Sequence, residues 1–178
     1  MIEGRDWVSV VAAGPCPDCG LDASMGRRAA IGTEVEIVAG RWTALLTSSG
    51  TDALRVRPVP TTWSALEYAA HVRDVLAVMS ERTVRMTRED DPELGWWDHD
   101  AAAVDERYND QDRADVAAAL AARAADFATV LASVDDGDWD RTGIRGDGSR
   151  FTVDGMARFV LHETHHHLRD AERSLDPT

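Results

Sequence analysis

At 178 residues the chain is long enough for one domain with a sizeable core. Thirty-two acidic side chains against 19 basic ones give a net charge of −13 and a pI near 4.7, which argues against a nucleic-acid backbone or an anionic membrane as partner. No apolar run approaches the ~20 residues that span a bilayer, and residues 1–5, Met1-Ile2-Glu3-Gly4-Arg5, lack the apolar core of a signal peptide, so the expected location is the cytoplasm.

The first chemical signal along the chain is Cys16-Pro17-Asp18-Cys19. A cytosolic CxxC is either a redox pair or half of a zinc site. A four-cysteine site needs a second pair, which the chain lacks, and no βαβ pattern surrounds these residues. The expectation is a tight turn before the first helix with both thiols reduced; a zinc shared across a dimer is the lesser alternative.

Four helical segments follow. The first is expected over 22–48, with Trp42, Leu45 and Leu46 near its end, and a loop over 50–62 carries Pro58 and Pro60. Ser64 and Glu67 form a capping box at the start of the second helix, and Trp63 and Tyr68 take the positions of a hydrophobic staple. This helix continues through His71, Val75 and Val78 to about 88. Residues 89–111 form a long connection with Pro92, Gly95, Trp96, Trp97 and His99, expected to fold over one end of the molecule. Asp112 caps the third helix, which ends near 134; Thr152 caps the fourth, with Phe151 and Met156 as a second staple. No segment shows a convincing strand pattern. The predicted architecture is all-α: a four-helix bundle with a long crossover between helices 2 and 3, a single domain over 1–178 with its core at about 22–173.

The fourth helix carries four of the six histidines, in Leu161-His162-Glu163-Thr164-His165-His166-His167. His162 and His166 are four apart, so they lie one turn apart on one helix face and can grip one divalent ion. His71, on the apolar stripe of the second helix, can supply a third ligand and leave a position open, as reactive rather than structural sites do. A buried, hydrogen-bonded His71 is the alternative. His162 to His166 also fits HExxH, with Glu163 as general base, but the chain stops before the usual third ligand, so a metallohydrolase of that type is a remote alternative. The Glu-x-x-His of di-iron bundles needs further glutamates that the third helix does not carry.

Trp63-Ser64-Ala65-Leu66-Glu67, then His71, then His162 through Asp170 resemble the DinB-like superfamily. The branch they look closest to holds the metal-binding domain of mycothiol-dependent maleylpyruvate isomerase. The resemblance implies a four-helix bundle, often a homodimer, that binds zinc or nickel through three histidines matched here by His71, His162 and His166. It also implies a transferase or isomerase acting on a small-molecule thiol (mycothiol, bacillithiol or glutathione) and an electrophile. Basic residues near the open position would serve such thiols; Arg73, Arg158 and Arg169 are the candidates. The competing function is a non-catalytic metal-binding or stress-associated dimeric protein.

Overall fold

The computed structural model describes residue 11 and residues 13–176; the reading of residues 1–5 falls outside them. In chain order the elements are α1 (Ile31–Ser48), a single turn α2 (Thr51–Leu54), α3 (Ala65–Arg88), β1 (Glu93–Gly95), α4 (His99–Asp105), α5 (Arg113–Ala132), β2 (Thr142–Arg145), β3 (Arg150–Thr152) and α6 (Val153–Leu175).

The predicted caps form. Ser64 Oγ accepts the Glu67 N–H at 3.2 Å, and the Ser64 N–H donates to Glu67 Oε2 at 2.8 Å. Arg57 clamps the same buried carboxylate, and Trp63 meets Tyr68 edge-on with ring centroids 5.6 Å apart. Asp112 accepts the Ala114 N–H at 2.7 Å, and Thr152 accepts the Gly155 N–H at 2.9 Å.

The four long helices form the expected bundle, but in an order the sequence does not announce. α1 packs on α5 and α6, and α3 packs on the same two, so α1 stands diagonally across the core from α3, and α5 from α6. Trp42, Leu66, Leu76, Leu120, Phe127 and Met156 are fully buried between them, each worth ~1.5–3 kcal/mol on transfer from water. The Trp42 indole donates to the Thr164 carbonyl at 3.0 Å and so pins α1 to the middle of α6.

Three expectations need correction. The first helix begins at Ile31, after a 3-10 turn over Arg28–Ala30, and not at residue 22. Asp22 accepts the Ser24 N–H at 3.1 Å, a local turn that competes with helix. Residues 89–111 fold into β1, α4 and a 3-10 turn that run alongside α3, where Tyr108 is fully buried and donates to Asp74 at 2.5 Å. Finally, there are strands: β2 pairs in parallel with β1 and antiparallel with β3. They are three or four residues long, too short to show alternation, and the β1–β2 pairing joins segments some fifty residues apart. Gly143 belongs to that contact, since a Cβ there would lie 2.9 Å from Leu94 and Met86.

Candidate metal centres on the histidine helix

α6 presents two parallel pairs at helical spacing, and the register decides which neighbour each pair meets. His162 and His166 share one strip; Glu163 and His167, one residue on and about 100° round the helix, share the next. The second strip faces α3. There His71, Glu163 and His167 bring one ligand atom each to within 4.8 Å of one another. Glu163 Oε2 lies 3.3 Å from His167 Nε2 and 3.9 Å from His71 Nε2. All three side chains are almost completely shielded from solvent.

The first strip faces the segment that precedes α1. Cys16, Cys19, His162 and His166 likewise gather within 4.8 Å, with Cys16 Sγ 3.6 Å from His166 Nδ1. Of the three histidines expected to share an ion, His71 groups at this distance with Glu163 and His167, and His162 and His166 group with the cysteines.

Asp170 lies one turn beyond and serves both strips. Its Oδ2 is 3.0 Å from His167 Nδ1 and 3.4 Å from His166 Nε2. A carboxylate behind a ligating imidazole fixes its tautomer and turns the other nitrogen toward the ion. Glu163 Oε1 is also 3.5 Å from His162 Nδ1, so the two sets touch through one carboxylate.

The local electrostatics follow from burial and from these contacts. Burial pushes the His71 imidazole down to about 4, against the pull of Glu163. Burial would lower His167 as well, but Asp170 and Glu163 on its two sides overcome that and carry it up to about 9. Burial alone would raise Glu163, yet His162, His167 and His71 hold it well below the usual carboxylate range. Burial likewise works against the Cys16 thiolate, but the His162 imidazole and the backbone at Cys19 and Asp18 bring the thiol below its ordinary value. Burial, with the Cys16 sulfur and the Asp170 charge adding to it, lifts Cys19 to about 11.

Aromatic rings wall the α3 side. His71 packs between Trp63 and Trp97, with centroids 5.1 and 5.7 Å away, and Tyr68 stacks on His167 at 5.2 Å. The long connection supplies Trp97 and also His99, whose ring lies 5.6 Å from His71. A cleft of about 660 Å³ between α1 and α5, bordered by Arg28, Glu36 and Trp139, lies elsewhere and includes none of these groups.

The arginine candidates are engaged in holding the fold. Arg73 pairs with Asp74 and Gln111, and Arg169 pairs with Glu172. Arg158 donates to the carbonyls of Ala23, Ser24 and Gly26. The i, i+4 spacing of Glu163 and His167 was visible in the sequence, yet the sequence reading did not single them out as a candidate ligand pair. It also missed the partner of the cysteines, because cysteines alone were counted.

The fold is similar to that of YfiT from Bacillus subtilis, described as a probable metal-dependent hydrolase with an unusual four-helix bundle topology. The TM-score is 0.76 at 16% identity, over 83% of this chain and 85% of that one. No curated protein matches the chain. The DinB superfamily profile matches residues 34–171, which contain α3, the long connection and the histidines of α6. The chain thus belongs to the DinB superfamily.

Proposed function

We propose that this protein is a divalent-metal-dependent enzyme whose zinc or nickel ion is held by His71, Glu163 and His167, and that it works with a low-molecular-weight thiol of the mycothiol type. The observation that carries the metal reading is the convergence of two imidazoles and a carboxylate from α3 and α6, with His71 and Glu163 buried and His167 largely shielded. The donor set fits an ion. His71 Nδ1 is buried without a hydrogen bond, beside a carboxylate shared by three histidines, a costly arrangement that a cation relieves. Two histidines and a glutamate as the protein's ligands leave a coordination position open. There the ion, when bound, lowers the pKa of a thiol or water and holds the resulting anion.

The chain's own groups prepare that position. Asp170 holds His167 by Nδ1 and leaves Nε2 toward Glu163 and His71. Trp63 and Trp97 shield the ligands from water. Burial and the charges of Asp170 and Glu67 push the Tyr68 phenol up to about 12, so it stays protonated and can donate to a substrate anion. Cys16 and Cys19 belong to the other set, which favours an external thiol, as does the resemblance to the mycothiol-dependent isomerase branch. The name given to YfiT favours a second reading, in which the activated nucleophile is water.

The test pairs mycothiol, bacillithiol and glutathione with a haloaromatic or epoxide acceptor, and offers activated esters in parallel. His71→Ala and Glu163→Gln should lose turnover and one metal equivalent, while folded His162→Ala keeps turnover. Loss in His162→Ala with retention in Glu163→Gln would return the ion to His71, His162 and His166. Ester hydrolysis without thiol transfer would select the second reading, and equal turnover by wild type and His71→Ala would overturn both.

A further inference from the structure

We infer that Cys16, Cys19, His162 and His166 form a second, closed metal site that takes a structural zinc ion within one chain. The ligand chemistry and spacing are those of a Cys2His2 site, a CxxC pair and an HxxxH pair. Their four ligand atoms already stand within 4.8 Å of one another. A tetrahedral zinc with bonds of about 2.3 Å to sulfur and about 2.05 Å to nitrogen separates those two ligands by about 3.6 Å. The Cys16 Sγ to His166 Nδ1 distance is 3.6 Å.

The backbone is shaped for the same purpose. Cys16-Pro17-Asp18-Cys19-Gly20 closes as a turn, with the Gly20 N–H on the Cys16 carbonyl at 2.8 Å and the Cys16 N–H on the Leu21 carbonyl at 2.9 Å. Gly20 has φ +77°, a conformation that glycine takes at little cost. Arg173 of α6 donates to the Asp18 carbonyl at 2.6 Å and so holds the turn against the helix that carries the histidines. Asp170 stands behind His166 as an orienting carboxylate, 3.4 Å from Nε2. Four protein donors leave no open position, and Cys16, His162 and His166 are buried. Such a site staples the segment before α1 to α6; it does not turn over substrate.

The test is metal content and ligand identity in untagged protein. Wild type should carry two zinc equivalents per chain, His71→Ala one, and Cys16→Ala/Cys19→Ala the other one. X-ray absorption on zinc-loaded His71→Ala should show two sulfur ligands at about 2.3 Å and two nitrogens at about 2.0–2.1 Å. If the cysteine variant fails to fold, cobalt-substituted wild type still decides, through the presence of a sulfur-to-cobalt charge-transfer band. An all-nitrogen and oxygen shell in His71→Ala, no such band, or undiminished zinc in the folded cysteine variant would overturn the site. His71→Ala retaining one sulfur-bound zinc while losing no activity would sink the catalytic reading and leave this one standing.

Discussion

Loading an ion at His71, Glu163 and His167 requires that His167 give up a proton. Two carboxylates carry this imidazole up to about 9, whereas burial keeps His71 near 4 and Glu163 is already ionised. At pH 7 the ion therefore displaces about one proton, all of it from His167. The two-unit gap between pH 7 and about 9 weakens binding by about a hundredfold, or ~3 kcal/mol, relative to the fully deprotonated site. The zinc Kd should fall about tenfold per pH unit between about 6 and 8 and level off near 9. Chelator competition on the Cys16→Ala/Cys19→Ala protein reads this site alone. Calorimetry in two buffers of different ionisation enthalpy counts the protons. Asp170→Asn removes one of the two carboxylates, so the levelling-off should move down toward the ordinary imidazole range. An affinity that stays flat across that pH interval with no proton released would refute the ligand assignment.

Two further outcomes concern the scaffold. Ser64→Ala removes the side-chain acceptor of the Glu67 N–H and should lower stability by ~1 kcal/mol, measured by urea unfolding; an unchanged midpoint would show that the cap contributes nothing. Trp42→Ala should cost ~3–5 kcal/mol by the same measurement, since it empties a fully buried volume and releases the Thr164 carbonyl.

The four helices, their caps and the importance of the histidine cluster were legible in the sequence because each rests on local spacing. Ser64 and Glu67 are three apart, Asp112 and Thr152 sit before helical runs, and His162 and His166 are four apart. What local spacing cannot carry is the rotation of α6 about its own axis. Apolar residues lie nearly all round that helix, so its pattern leaves open which strip meets α3 and which meets the N-terminal segment. Packing settled that: Glu163 and His167 face His71, and His162 and His166 face the cysteines. The same limit hid the strands, whose pairing of residues 93–95 with 144–145 is set by where α3 and α6 place their ends. It also hid the placement of Trp97 and His99 beside His71. Sequence alone determined which residue types could bind a metal and on which helices they ride. Tertiary structure decided which of them stand close enough to share an ion, because coordination is a matter of a few ångströms between side chains as many as 150 residues apart.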